Sequence, residues 1–384
     1  MVLGFVHDHN FYEENNLFYS GGGLPASTWA RYLSVSEKLI VIGRAGEKKL
    51  NVLSSYENVT FRLVHSYKGP VDLLRNYNKI KSELQLIIDK CDALIIRLPS
   101  ILGLMSADIC SDICKPYLIE VVGSAKESMM HSGIKGKIFG MLVETKMKSI
   151  VRKSRFTIYV TKCYLQSIYS CSGRTINISN VNIASGNPDV LRNRLERIKN
   201  INHRECFRIG LVGSISVPYK GHEVLLKALN QLGPLIKKIK VDFVGGGENL
   251  KLIHKIDTYG LSKNVNLRGS IRAGEEMMDF LDNIDLLIQP SLTEGLPRIV
   301  IEAFSRGCPV LASNVGGIPE LLKQEYIHNK GDVSQLCEQI QYVAFNTNVL
   351  DAMAIDNFSK AAEYSETDLQ LKREKFIGDF LKEI

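Results

Sequence analysis

Apolar runs of strand length alternate with amphipathic stretches along the chain. In the first half they read "KLIVIG" (38 to 43), "ALIIRLP" (93 to 99), "YLIEVVG" (117 to 123) and "FTIYVT" (156 to 161). The second half repeats the scheme with "FRIGLVG" (207 to 213), "KVDFVGG" (240 to 246), "DLLIQPS" (285 to 291) and "CPVLAS" (308 to 313). Runs without alternation predict strands buried on both faces, and the segments between them predict crossover helices. Two such series predict an α/β protein of two Rossmann-like domains with parallel sheets. The break falls in "ASGNPDVLRNRLERIKNINHRECF", where Gly186, Asn187 and Pro188 interrupt a polar, basic stretch, so a hinge is expected near residues 185 to 205. Ligands of open parallel sheets bind beyond the carboxyl ends of the strands, so loops of both domains are expected to face across a cleft.

Length and composition agree with this division. A chain of 384 residues exceeds one comfortable core. Hydrophobic content of 45% and charged content of 23% are those of a globular protein rather than a disordered one. The net charge of +7 permits an anionic partner without choosing among nucleotide, nucleic acid and phospholipid surface. Eight cysteines include no CxxC pair, and His203 with Cys206 lacks a second half, so no metal site is expected and reduced thiols of a cytoplasmic protein are. The N-terminus meets acidic and polar residues too early for a signal peptide, and "ALIIRLPSILGLM" is too short to cross a bilayer and contains Arg97 and Pro99.

The most informative stretch is "SLTEGLPRIVIEAFSRGCPVLASNVGGIPEL", residues 291 to 321. It follows a predicted strand, so its loop lies at a strand's carboxyl end. Pro297 suits the first helical position, and Gly307 with Pro309 stops the helix. The N–H groups of Gly295 and Leu296, with the positive end of the helix dipole, form a site for a phosphate. Glu294 in the loop and Glu302 on the helix each offer a carboxylate that accepts from sugar hydroxyls. Either glutamate alone reads as a solvated charge, but Glu302 interrupts the apolar run "RIVIEAF" and needs a partner there.

"EGLPRIVIE", continued by "GCPVLASNVGGIPELL", resembles the signature of the family 4 retaining glycosyltransferases of GT-B fold, two glutamates separated by seven residues. The resemblance extends to "GLVGSISVPYKGHEVLLKALNQL" (210 to 232), which is similar to the family's phosphate-binding strand, loop and helix. It implies donor-diphosphate contacts at Gly213, Lys220 and Arg298, with Lys220 and Glu294 carrying catalysis. Ser214 stands where the family usually has arginine, so a hydroxyl replaces a charge; Arg272 and Arg298 are the substitutes to consider. "VNLRGSI" (265 to 271) implies base contacts through the backbone of Ser270 and Ile271, and "YSGGGLPASTWARYL" (19 to 33) implies close approach of Gly22 and Gly23 to the donor phosphates. The latter stretch also reads as an ordinary surface loop. Gly245 to Gly247 lack GxGxxG spacing and are read as a tight strand-to-helix turn.

Residues 115 to 170 resemble the family's surface-polysaccharide branch (capsule, exopolysaccharide or O-antigen). The histidine common at the end of the first strand there is replaced by Val122, Gly123 and Ser124, with His131 further on. Residues 134 to 155 interleave Ile138, Phe139, Leu142, Met147, Ile150 and Val151 with lysines and arginines. Such a helix either packs its stripe inward or lies on an anionic membrane.

The resemblance therefore implies an N-terminal acceptor domain over 1–187, a nucleotide-sugar donor domain over 188–365, and a helix over 366–384 crossing back to the first. It implies a retaining, metal- and cofactor-independent hexosyltransferase acting on a nucleotide-sugar donor and a glycan or polyprenyl-linked acceptor, without nucleic acid. The expected place is the cytoplasm, peripheral to the inner face of the membrane. Two alternatives stay open: a sugar-nucleotide-binding protein without transfer, and a sugar-nucleotide epimerase.

Overall fold

The computed structural model describes residues 1–384 apart from 49–51, 130–132, 182 and 185, so His131 lies outside the described residues. The chain divides into two compact units, one of Met1–Ser179 with Leu369–Ile384 and the other of Asn180–Asp368.

The first unit holds β1 (Val2–Glu14), β2 (Leu17–Ser20), β3 (Lys38–Ala45), β4 (Val52–Leu53), β5 (Val59–Val64), β6 (Ala93–Leu98), β7 (Tyr117–Val121), β8 (Phe156–Tyr159) and β9 (Arg174–Asn177). Seven of these run parallel in the order β5-β3-β1-β6-β7-β8-β9. The far end of β1 folds back antiparallel on β2, which pairs with β4. The hydrophobic pattern did not predict β1, because its outer half, "HDHNFYEE", is polar. Its inner half buries Leu3, Phe5 and Val6 fully. A bulge separates the halves: Val6 faces Ile42 while Asn10 faces Arg44, leaving His7, Asp8 and His9 out of register with β3. Gly43 accommodates the bulge, since a β-carbon there would stand 2.8 Å from the His9 carbonyl and 2.7 Å from the Phe11 ring.

Helices α1 (Ile101–Asp112) and α2 (Gly133–Lys153) follow β6 and β7 in this unit. On α2 the apolar residues split between two faces. Val143, Met147 and Val151 are buried, whereas Ile138, Met141 and Leu142 are 58%, 60% and 65% exposed. The terminal helix Glu366–Lys382 sets Phe376 and Phe380 edge-on against Phe156, with ring centroids 5.4 and 5.5 Å away. Arg373 is buried on the same helix and donates to the Ser179 carbonyl at 3.1 Å.

The second unit is built on β10 (Phe207–Val212), β11 (Ile239–Val244), β12 (Val265–Gly269), β13 (Leu286–Gln289), β14 (Val310–Ser313) and β15 (Ile327–His328), all parallel in the order β12-β11-β10-β13-β14-β15. The chain runs outward from β10 to β12, then returns to β13 on the other side. The strand order thus reverses between β10 and β13, and the carboxyl ends of these two strands mark the expected ligand crevice.

The segment expected to be a hinge is instead largely a helix fastened to this unit. Asn187 caps α3 (Pro188–Lys199) by accepting from the Asp189 amide at 3.0 Å, and Pro188 takes the first helical position. Buried Arg194 donates to the carbonyls of Ile284 at 2.6 Å and Leu281 at 2.7 Å. Arg197 and Arg204 pair with Asp285, whose side chain is 2% exposed and also accepts from the Arg208 amide at 2.7 Å. The arginines that made this stretch look like a solvated linker are its anchors. Asp285→Ala strands two partly buried guanidinium groups and is expected to cost about 3–5 kcal/mol, read as a lower urea midpoint by far-UV circular dichroism.

Candidate active site

The crevice of the second unit collects most of the residues predicted from sequence. β13 ends in Gln289 and leads through Pro290 and Ser291 into the loop that carries Glu294. Glu294 is only 10% exposed, and its Oε1 accepts from Lys220 Nζ at 2.7 Å, Ser291 Oγ at 2.8 Å and Gln289 Nε2 at 3.1 Å. Gln289 also donates to Ser291 Oγ at 2.8 Å, so the strand's end locks the carboxylate from beneath. Oε2 receives no donor from the described residues and remains able to accept hydroxyls. Gln289 and Ser291 are buried functional residues that the sequence reading missed; the signal was polar residues closing an otherwise apolar strand.

Lys220 reaches Glu294 from the loop after β10. Gly221 adopts a left-handed φ of 79°, and a β-carbon there would lie 1.9 Å from the Pro290 carbonyl, so only glycine lets the two loops touch. The Lys220 stem runs along Gly213, where a β-carbon would come within 2.9 Å of Cγ. Next to Lys220, His222 begins α4 (His222–Gln231) and packs edge-on against Phe243 at 5.0 Å. Burial, opposed by a bond with the Gly213 backbone and aided by Lys220, drives its pKa down to about 4. His222 is thus neutral and adds no charge to the crevice.

Ser214 does not take an arginine's place. Its hydroxyl donates to the Gly246 carbonyl at 2.8 Å and lies 2.9 Å from Ser216 Oγ, which joins the loop after β10 to the one after β11. The Gly245–Gly247 turn is correspondingly tight: a β-carbon on Gly246 would sit 2.6 Å from Ser270 Oγ. Gly213, Ser214 and Ser270 therefore belong to one loop cluster. Ile271 stands beside it, lining a depression with Asp242, Arg268 and Phe280. Arg272 is exposed, and its backbone donates to Glu276 at 2.9 Å.

Pro297 occupies the cap position of α5 (Arg298–Ser305) and not its first turn, a correction of one residue that makes Arg298 the first helical residue. The Gly295 carbonyl accepts from Gly317 at 2.7 Å, while the amides of Gly295 and Leu296 donate to no described group. Gly316 lets the chain pass this close, since a β-carbon would be 2.0 Å from the Glu294 carbonyl. Arg298, exposed, draws down the pKa of Glu302 one turn later, but burial outweighs it and the carboxyl is raised above its ordinary value. Glu302 is therefore an acid short of partners, as its place in "RIVIEAF" implied. Gly22 and Gly23 belong to the first unit; Gly22 takes a left-handed φ of 93°, and Gly23 leaves room for His9, whose ring would lie 3.0 Å from a β-carbon.

The model of glycosyl transferases group 1 matches residues 195–357. Protein CapJ of Staphylococcus aureus is 34% identical over 388 residues, spanning 100% of this chain and 96% of the relative. Sucrose-phosphate synthase from Thermosynechococcus elongatus superposes with a TM-score of 0.74 at 16% identity, covering 100% of both chains. HepE of Anabaena in complex with UDP-glucose gives 0.69 at 15% identity, covering 99% of this chain and 100% of that one. The structural likenesses establish a shared GT-B fold.

The raised pKa of Glu302 fixes a sign for its replacement. Its charged form is disfavoured in the folded chain, so the penalty is present at neutral pH and vanishes as pH falls below the unfolded value. Glu302→Gln is expected to melt at or above the wild-type temperature at pH 7, with the difference gone at pH 4, measured by differential scanning calorimetry.

Proposed function

The chain belongs to the glycosyl transferases group 1, and on that premise we propose that it moves a sugar from a nucleotide-diphosphate donor onto a growing surface polysaccharide, with retention at the anomeric carbon. The observation that carries this reading is the half-satisfied Glu294: three donors fix one oxygen, and the other accepts from none of the described residues. A carboxylate held this way orients sugar hydroxyls without reorganising during the reaction. The diphosphate is proposed to sit at the amides of Gly295 and Leu296, at the positive end of α5, with Lys220 and Arg298 supplying cationic charge. That both HepE structures with UDP and with UDP-glucose share this fold supports a uridine nucleotide as the first donor to test.

In the proposed step the anomeric carbon–oxygen bond to the diphosphate breaks while a bond to the acceptor oxygen forms on the same face. The acceptor's proton passes to the departing phosphate oxygen. Lys220, Arg298 and the positive end of α5 stabilise the developing charge, and the proposed step uses no divalent metal. Loss of one preorganised electrostatic contact of this kind costs about 10²–10³ in rate. Glu294→Gln is therefore expected to lower kcat by roughly 10²–10³ while the far-UV circular dichroism spectrum at the assay temperature stays that of the folded chain. The assay incubates the chain with UDP-, GDP- and ADP-sugars and polyprenyl-linked acceptors in EDTA and reads one added sugar by mass spectrometry. Donor binding without any gain in acceptor mass would favour a binding protein; conversion of the donor without acceptor would favour an epimerase.

Among the described residues no helix is long and apolar enough to cross a membrane. We propose peripheral contact through α2, where Ile138, Met141 and Leu142 stand exposed at positions i, i+3 and i+4 on a helix ending in Arg152 and Lys153. The chain is expected to sediment with phosphatidylglycerol vesicles at low salt, and Met141→Asp with Leu142→Asp to remain in the supernatant.

A further inference from the structure

The first unit has a crevice of its own. Its parallel order β5-β3-β1-β6-β7-β8-β9 reverses direction between β1 and β6, and the bulge of β1 lies at that point. The bulge presents His7 and His9, whose rings stack with centroids 6.5 Å apart. Arg44 comes from β3 on one side and Arg97 from β6 on the other. His7 Nδ1, His9 Nε2, Arg44 Nε and Arg97 Nε are all buried without a hydrogen-bond partner among the described residues. Native proteins leave few such atoms unpaired, and four gathered around one bulge call for an explanation.

Asp8, in the middle of the bulge, is not that partner. Its carboxylate accepts from the amides of Ile101 and Leu102 at the start of α1 and from Tyr67 Oη at 2.8 Å, and its own amide donates to Ser100 at 3.1 Å. These bonds hold the bulge open. Arg44 is steadied by the Tyr67 carbonyl at 3.2 Å and by its ring, 4.7 Å from the guanidinium. Gly23 and Gly43 supply the space around His9. Two guanidinium groups and two imidazoles thus gather at the bulge; the nearest carboxylates are already engaged, Asp8 as above and Glu120, opposite Arg97 on β7, by Tyr32 Oη at 3.0 Å.

We propose that this cluster binds an oxyanion, phosphate or carboxylate, carried by the sugar acceptor. Two sources share that chemistry, a lipid-diphosphate linkage and a uronic acid. Reading the ligand as the acceptor rests on the transferase function proposed above, whereas the anion site itself does not.

The histidines provide a signature that packing alone would not. Burial first, then Arg97, the partner histidine and Arg44, holds His7 well below its ordinary pKa; burial, Arg97 and Arg44 bring His9 to about 4. The groups facing the pair are Arg97 on β6 and Arg44 on β3, with Asp8 between them, Tyr67 behind Asp8 and buried Glu120 on β7 opposite Arg97. A bound anion offsets the arginines and raises the histidine pKa values, so binding takes up protons and tightens as pH falls.

The test is isothermal titration of the full chain with inorganic pyrophosphate and, separately, glucuronate, at pH 6 and pH 8 in buffers of different ionisation enthalpy. Wild type is expected to bind at least one probe, more tightly at pH 6 and with proton uptake, and Lys220→Ala to keep this pH-dependent binding while losing any pyrophosphate held at the donor site. Arg97→Gln and Arg44→Gln are each expected to weaken it tenfold or more with an intact circular dichroism spectrum, and Arg97→Lys to recover part. A response to pyrophosphate alone assigns the oxyanion to the diphosphate linkage, and a response to glucuronate alone to a uronic acid. Binding lost in Lys220→Ala but kept in both arginine variants, or no binding of either probe, overturns the proposal. Such a failure leaves the donor reading standing, because that reading is tested by Glu294→Gln.

Discussion

The Lys220–Glu294 ion pair is the contact on which the second unit's crevice is organised. It joins the loop after β10 to the loop after β13 across the point where the sheet changes direction. Neither side chain could hold this place alone. A partly buried lysine without its carboxylate, or the reverse, would bear an uncompensated charge. Gln289 and Ser291 share the carboxylate and remove the freedom that an exposed pair would keep. The two loops are thereby held in one defined geometry.

Close packing of backbone makes that pairing possible. Gly221 against Pro290, Gly316 against Glu294 and Gly245 against Gly213 are approaches that any β-carbon would prevent. Each occurs where a loop crosses its neighbour at the ends of the strands. Ser214 belongs to the same economy of space, since its short side chain bonds the adjacent turn where a longer cation would have to project away.

The two units repeat one plan. Each has a parallel sheet whose order turns back beside its first long strand, and each gathers polar side chains there. They differ in sign. The second unit's crevice centres on a carboxylate fixed by donors, and the first unit's on arginines and neutral histidines kept apart from Asp8.

Sequence alone determined the parallel-sheet character, because "ALIIRLP" or "DLLIQPS" has no face to offer water and must be a central strand. It also singled out Glu294 and Glu302, since a carboxylate in a Gly-Pro turn after such a strand is legible as local chemistry, while Lys220 was implied by the family resemblance. It did not reveal β1, whose polar outer half follows its bulge, nor α3, whose arginines are charged in the sequence and anchored in the fold. The tertiary structure decided which atoms remain unsatisfied: Glu294 Oε2 on one side, and the nitrogens of His7, His9, Arg44 and Arg97 on the other. Periodicity and spacing report what one segment prefers. Whether a polar atom is paired depends on strands that are distant in the chain and adjacent only after the sheet has formed.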